Sequence, residues 1–257
     1  MHPILFQIGP VTIYTYGLFV AIGFLAAFSL ALKEAKREAI SPNVISDLVC
    51  WMVIAGVIGA RFIYVVYNFH TFLKHPLQIF ALWKGGLVFI GGVVFGLLAM
   101  IFFVIKKGLN FWQLSDIFAP ALALGQAFGR IGCLCAGCCY GRPTHVPWAI
   151  VFTDPNALAP TGIPLHPTEI YHSFCCFLIT FILIWQKHRR DNFRLSNPDV
   201  PYGQIFALYL ILHSIHRIVV EYFRGDYRPL FYDNISITQA FSFLFILIGV
   251  FIYFKKR

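Results

Sequence analysis

Three arginines, Arg61, Arg130 and Arg217, lie within long apolar stretches of the chain. An arginine at bilayer depth costs about 2.5–3.5 kcal/mol on insertion scales, so it normally faces a cavity or a partner. A guanidinium fork binds phosphate oxygens in pairs. Three such groups point to a phosphate, and the simplest one at headgroup depth belongs to an anionic phospholipid. His213, Arg217, Glu221 and Arg224 are spaced i, i+4, i+8, i+11. That spacing puts them on one face of any helix that continues so far, where Glu221 can partner either arginine. A structural ion pair that merely satisfies Arg217 would have the same spacing. Gln126, Arg130, Cys133 and Gly137 share a second face. Gly125, Gly129 and Gly132 nearby, and Gly91, Gly92 and Gly96 earlier, allow close helix contacts.

Cysteine is the other reactive residue type. There are seven, an odd number, so complete internal pairing is impossible. Cys133, Cys135, Cys138 and Cys139 form C-x-C-x2-C-C. Such density is compatible with zinc, an iron–sulfur cluster, a redox dithiol or a structural disulfide. The spacing fits the metal and cluster patterns poorly, and adjacent thiols on a helix point in different directions. No metal and no cofactor is therefore expected. Cys50, Cys175 and Cys176 lie in apolar runs, where a thiol serves as a small hydrophobe.

The elements that carry these residues follow from composition. The 257 residues are 59% hydrophobic, 18% aromatic and only 12% charged, with a mean hydropathy of +0.74; a soluble domain is about a quarter charged. One globule of this length cannot hide so much apolar surface. A soluble enzyme, a disordered chain and a secreted disulfide scaffold are excluded. The pattern predicts an all-α polytopic membrane protein of about seven transmembrane helices, each needing roughly 20 residues. They are read at 11–32, 45–69, 85–105, 111–136, 168–185, 202–220 and 235–254. The first has no Lys or Arg before it and is longer than a signal core, so it is expected to remain as a helix. Residues 1–257 read as a single transmembrane domain, with an outer loop at 137–167 and a semi-apolar segment at 70–84 too short to span.

The net charge of +9 has a topological meaning. Outside the spans, twelve Lys and Arg fall on one side and five on the other. The twelve include Lys187, Arg189, Arg190, Arg194 and Arg257; the five include Lys84 and Arg228. Basic loops mark the cytoplasm, which puts the N-terminus outside and the C-terminus inside. In that orientation Arg61, Arg130 and Arg217 converge on the outer half of the membrane. No RNA-binding motif or basic helix is present, and no nucleic-acid partner is expected.

Residues 129–144 read GRIGCLCAGCCYGRPT. This resembles the signature of bacterial prolipoprotein diacylglyceryl transferases, in which G-R-[IVL]-G precedes a Y/W-G-R turn. Further segments match in the family's order. Tyr16-Gly17 lies in YTYGLFVAIGF, Gly59-Ala60-Arg61 precedes Tyr64, and Gly85-Gly86-Leu87 precedes Gly91-Gly92. His166-Pro167-Thr168-Glu169-Ile170-Tyr171 is similar to H-P-[ST]-x-x-Y, and Arg217 to Arg224 follows R-x-x-x-E-x-x-R. The resemblance implies transfer of the diacylglyceryl group of phosphatidylglycerol to the lipobox cysteine thiol of a prolipoprotein. A thioether forms and glycerol 1-phosphate leaves. It implies a bacterial cytoplasmic (inner) membrane protein needing neither metal nor nucleotide. It also implies that Arg130 and Arg217 hold the lipid phosphate, that Tyr16 and Gly141 line the site, and that Glu221 and Arg224 complete its polar wall. With the residues reached from the chain itself, the candidate catalytic groups are Arg130, Arg217 and Glu221. The candidate substrate-binding groups are Arg130, Tyr16, Arg61, Gly141, His213, Arg224 and Cys133.

Three positions depart from the family's pattern. Ile90 stands where His is common, Cys133 where Asn is common, and Cys138 where Glu is common. The family's acid–base assignment is not carried over. The reaction is displacement of a phosphate ester at carbon by sulfur; it needs a thiolate and neutralisation of charge on the leaving phosphate. Glu221, His213 and His166 are the candidates for any base. An anion or lipid transporter, which intramembrane arginines would also suit, and a paralogue with another acceptor are the competing readings.

Overall fold

A computed structural model of the chain describes residues 2–9, 11–81, 85–197, 199–227, 230–232 and 235–256. Lys84, Arg228 and Arg257 of the charge count lie outside the described residues. Seven of the described helices are long and apolar enough to cross a membrane, and only 17% to 44% of each spanning window is buried within the protein. The remaining apolar exterior needs lipid as its solvent. The protein is an all-α polytopic membrane protein.

The chain opens with an antiparallel hairpin of β1 (Ile4–Ile8) and β2 (Val11–Tyr14), paired from Ile8–Val11 to Phe6–Ile13 and, after a register shift, at Ile4–Tyr14. The expected first span therefore starts four residues too early. Val-Thr-Ile-Tyr is β-branched and aromatic, and it pairs as a strand. Helix α1 runs over Thr15–Arg37, and the Thr15 hydroxyl donates to the His2 carbonyl at 2.6 Å, tying hairpin to helix. Contacts divide the chain into two compact units, Leu32–Phe111 and Met1–Ala31 with Trp112–Arg257.

The first unit contains α2 (Pro42–Tyr67), the short α3 (Phe69–Lys74), a 3-10 turn (Pro76–Phe80) and α4 (Phe89–Lys107). The semi-apolar segment at 70–84 thus holds two short helical turns rather than a span. Pro42 opens α2, where its missing N–H costs no helix bond. Helices α2 and α4 approach through glycine: a Cβ on Gly91 would collide with the Gly59 carbonyl, and one on Gly59 with the Phe95 ring. A Cβ on Gly96 would make only ordinary contact, 3.6 Å from the Met52 carbonyl.

The second unit contains α1 up to Ala31, α5 (Phe111–Ala136), α6 (Thr168–Ser196), α7 (Gln204–Glu221) and α8 (Ile237–Lys255). Four short strands, β3 (Ile150–Val151), β4 (Pro164–Leu165), β5 (Leu230–Tyr232) and β6 (Ile235–Ser236), pair as two small antiparallel ladders in its loops. Ala119, Ala123, Ile179, Leu183, Ile205 and Tyr209 form its core across α5, α6 and α7. Helix α6 continues eleven residues past the expected end of the fifth span, so Lys187, Arg189, Arg190 and Arg194 are helical rather than in a loop. The reason is a buried network. The Asp116 carboxylate pairs with Arg190 and accepts the N–H groups of Gly203 (2.7 Å) and Phe206 (2.9 Å), closing the start of α7. A capping box of Ser236 and Gln239 starts α8, each side chain satisfying a backbone N–H of the other.

Candidate functional site

The C-terminal ends of α5 and α7 and the first turns of α6 and α8 meet in the second unit. Arg130 lies six residues before the end of α5 and Arg217 four before the end of α7, about 9 Å and 6 Å down the helices. Gly137, with φ of 70°, stops α5 in the left-handed conformation. The Cys138 N–H then turns back to the Cys133 carbonyl at 3.1 Å. This Schellman closure brings the second residue past the cap over the last turn, a place usually filled by an apolar pair. Here both partners are cysteines.

Cys139 is also left-handed, with φ of 71°, a conformation costing a non-glycine residue about 1–3 kcal/mol. The Thr168 hydroxyl holds it by donating to its carbonyl at 2.7 Å. As a result the sulfurs of Cys133, Cys138 and Cys139 lie within 4.8 Å of one another, and Cys135 is not among them. The divergence expected for thiols on a continuous helix does not arise, because the helix stops at Ala136. Hydrogen bonds from Cys133 and Cys138, with the Arg224 cation beside them, hold the Cys139 thiol below the ordinary thiol range.

The arginines differ in how they are partnered. Arg130 Nη1 reaches Cys139 Sγ at 3.7 Å. Arg217 Nη1 donates to His172 Nε2 at 2.7 Å, and its Nη2 stands 3.6 Å from Glu221 Oε2. Glu221 Oε1 accepts from the Ser236 hydroxyl at 2.8 Å. Helix α7 ends at Glu221, so Arg224 is not on the same continuous face. It turns to Asp226 instead, through bonds of 2.8 and 2.7 Å. Burial works against the Arg224 charge, but the Asp226 fork overrides it and raises its pKa.

Gly141 makes the loop fit. Its N–H donates to the His166 carbonyl at 3.1 Å and the Arg142 N–H to Phe223 at 2.8 Å. A Cβ on Gly141 would collide with His166 and stand 2.9 Å from the Phe223 carbonyl. The half-exposed Tyr16 ring packs on Gly132. The His213 ring packs on Tyr209 and His216, at 5.5 and 4.8 Å between centroids. His166 Nδ1 meets the Tyr171 hydroxyl at 3.2 Å. Arg61 belongs to the other unit, where its guanidinium binds the backbone carbonyls of Gln78, Ile79, Ala81, Gly85 and Gly86. Ile90 sits on α4 and is 69% exposed.

Four polar residues of the site have no assigned role in the sequence reading: Glu169, His172, His216 and Asp226. Glu169 is 1% exposed, and neither of its oxygens has a hydrogen-bond partner among the described residues. It lines a cavity of about 260 Å³ with Arg130, Ser173, Phe174 and Phe177. His172 Nδ1 and His216 Nε2 meet at 3.0 Å. The signal was spacing: Glu169, His172, Ser173 and Cys176 follow i, i+3, i+4, i+7 on α6, and His213 and His216 share a face of α7. Cationic forks, a buried carboxylate and clustered thiols in one place can bind a phosphate and handle a sulfur nucleophile.

Residues 3–255 match the family described as prolipoprotein diacylglyceryl transferase. The chain belongs to this family. It is 34% identical over 264 residues to the phosphatidylglycerol–prolipoprotein diacylglyceryl transferase of Clostridium tetani, covering the whole of both chains. It is 35% identical over 262 residues to the protein of that name from Trichormus variabilis, covering 99% of this chain and 91% of the relative. The protein of that name from Synechococcus elongatus is 36% identical over 250 residues, covering 96% of this chain and 85% of the relative. Family membership thus spans both compact units, and in this member the α5 cap is a thiol cluster beside Arg130.

Proposed function

We propose that this protein transfers the diacylglyceryl group of phosphatidylglycerol to the lipobox cysteine of a prolipoprotein, in the cytoplasmic membrane of a bacterium. The observation that carries the reading is the family match over residues 3–255, with motif residue Arg130 lining a cavity with the buried Glu169 and Arg217 hydrogen-bonded to His172 on the same helix as Glu169. The acceptor sulfur attacks the glyceryl carbon bound to the phosphate oxygen. A C–S bond forms, the C–O bond breaks, and its electron pair leaves on glycerol 1-phosphate. Arg130 and Arg217 bind the phosphate and neutralise the charge that grows on it, a contribution strongest where water is excluded. Glu221 keeps Arg217 oriented through their 3.6 Å contact. Tyr16, Cys133, Gly141, His213 and Arg224 line the substrate space. The charge bias of the loops supports an N-terminus outside, with the site in the outer half of the membrane.

The test is to incubate the purified chain with phosphatidylglycerol and a lipobox peptide and to look by mass spectrometry for the diacylglyceryl thioether. A peptide with serine for the cysteine gives no product. Absence of product with the cysteine peptide, from folded protein in active lipid, would overturn the reading in favour of a transporter or another acceptor.

A further inference from the structure

We propose that Glu169 is the catalytic base, taking the proton of the acceptor cysteine thiol as its sulfur attacks the lipid. The inference rests on the transferase reading and deepens it. Glu169 is 1% exposed, and neither of its carboxylate oxygens has a hydrogen-bond partner among the described residues. Leaving a buried acceptor unpaired is expensive, so such a group calls for a partner that arrives from outside. The residue lines the cavity of about 260 Å³ that Arg130 also lines. The cavity walls between them are largely apolar, with Ile131, Leu134, Ile170 and Phe174. An S–H group entering there, beside a phosphate held by Arg130, meets a waiting acceptor.

The backbone fixes the carboxylate in that place. Glu169 lies in the first turn of α6. Thr168, one residue earlier, donates its hydroxyl to the Cys139 carbonyl at 2.7 Å, and the sulfur of Cys139 meets Arg130 Nη1 at 3.7 Å. One turn further on, the Ser173 hydroxyl donates to the Ala127 carbonyl at 3.0 Å. The two bonds tie α6 to α5 and its closing turn on either side of Glu169. The charged and titratable groups acting on its carboxylate are Arg130 on α5, Cys139 in the turn after it and Arg224 in the turn after α7. The other candidate bases are engaged elsewhere. Glu221 meets Ser236 and Arg217, His166 meets Tyr171, and the His213 ring packs on Tyr209 and His216. None of the three lines the cavity of Arg130.

The chemistry requires such a group. The acceptor must react as thiolate, and free cysteine is mostly protonated at neutral pH. Ile90 cannot take a proton. A carboxylate withdrawn from water without hydrogen bonds is a stronger base than one in solvent. The S–H proton moves to a Glu169 oxygen while the sulfur electron pair forms the C–S bond. The C–O bond breaks, and its pair leaves on the phosphate oxygen facing Arg130. The departing phosphate monoester, with a second pKa of about 6, then carries the proton away and restores the carboxylate.

The test uses the full chain in detergent with phosphatidylglycerol and two lipobox peptides, one with cysteine and one with selenocysteine. A selenol is ionised at neutral pH and needs no base. Glu169→Gln keeps the shape of the side chain and removes its basicity. With the cysteine peptide its kcat should fall about 100- to 10,000-fold, with KM for the lipid little changed; with the selenocysteine peptide the loss should shrink to less than about tenfold. The residual rate of Glu169→Gln should rise about tenfold per pH unit up to the thiol's own pKa of about 8.5, because it waits for free thiolate. Cys139→Ser, which removes the titratable neighbour, should keep the shape of the wild-type pH profile. A folded Glu169→Gln chain as fast as a wild type that makes the thioether would overturn the base and leave the transferase reading intact. An equal loss with both peptides would overturn it too, and make Glu169 an orienting partner of Arg130. No thioether from the wild type would overturn the transferase reading and the base with it. If Glu169→Gln does not fold, the wild type decides: the acid limb of its rate must move to lower pH with the selenocysteine peptide, and a limb that stays in place overturns the base.

Discussion

Removal of the Arg61 guanidinium should cost stability rather than chemistry. Its Nε–H donates to Ile79 at 2.8 Å, Nη1 to Gly85 and Gly86 at 2.7 and 3.1 Å, and Nη2 to Gln78 and Ala81 at 2.5 and 3.4 Å. All acceptors are backbone carbonyls, and the group lies against the Tyr64 and Phe72 rings, 5.4 and 5.5 Å from their centroids. Its five donors are thereby spent on the loop that leads into α4. A hydrogen bond to a charged donor contributes about 1.5–3 kcal/mol. Five independent ones would match an entire domain's stability, so they are not additive. The better measure is the loss of one partner from a buried charged network, about 3–5 kcal/mol. For a unit of this size that lowers the unfolding temperature by roughly 12–40 °C, at about 4–8 °C per kcal/mol. Arg61→Lys, with one charge and three donors, should recover only part. Thermal unfolding in detergent micelles, paired with initial transfer rates well below both midpoints, checks this. If Arg61→Ala unfolds at the wild-type temperature but loses transfer more than about 100-fold, a loss on the scale of a removed charge-stabilising donor, then Arg61 holds substrate and the loop-clamp reasoning is wrong.

Arg130→Ala should do the opposite, lowering kcat/KM about 100- to 1000-fold with an almost unchanged unfolding curve, because its hydrogen-bond partner among the described residues is a thiol and its task is the leaving phosphate. Gly141→Ala should destabilise by about 1–3 kcal/mol, since its methyl group meets the His166 backbone and side chain at a point with no room to relax; differential scanning fluorimetry reads this directly. Asp116→Asn should cost about 3–5 kcal/mol by removing the buried partner charge of Arg190, which keeps only Asp191 at 3.2 Å among the described residues, and hydrogen exchange should then rise at Gly203 and Phe206, whose N–H groups Asp116 accepts.

The spans were legible because a run of about 20 apolar residues has few alternative fates. Their ends were not, for reasons seen in particular residues. Val11–Tyr14 is apolar enough to pass for helix, yet pairs as a strand with Ile4–Ile8. Lys187 and Arg190 look like loop charges, yet each finds an aspartate, Asp191 and Asp116. Their partners lie four and seventy-four residues away, and only the nearer one has a helical spacing. Arg130 and Arg217 could be picked out because lipid makes an arginine conspicuous. Glu169 could not, because one acidic residue in a helix's first turn reads as a favourable dipole contact. That its oxygens lack hydrogen-bond partners among the described residues is a property of the packing around them, not of the local sequence.

The distribution of partners at the site also orders the three arginines. A cation in a low-dielectric setting must be answered by something, and an answered cation is less available to a ligand. Arg224 is answered most directly, by both oxygens of Asp226 at its Nε and Nη2, though its Nη1 has no hydrogen-bond partner among the described residues. Arg217 is answered at longer range by Glu221 and by a neutral acceptor, His172. Arg130, among the described residues, has one hydrogen-bond partner, the Cys139 sulfur at 3.7 Å. A lipid phosphate gains least from displacing Asp226 and most from meeting Arg130, so Arg130 should dominate phosphate affinity. Arg224 should act mainly through the turn it fixes beside Gly141, whose strand bridges to it. A double-mutant cycle between Arg130→Ala and Arg224→Ala checks this order. Near-additive losses, with the larger share in KM from Arg130, fit it; equal KM effects from both would show that the Asp226 pair opens to receive the phosphate.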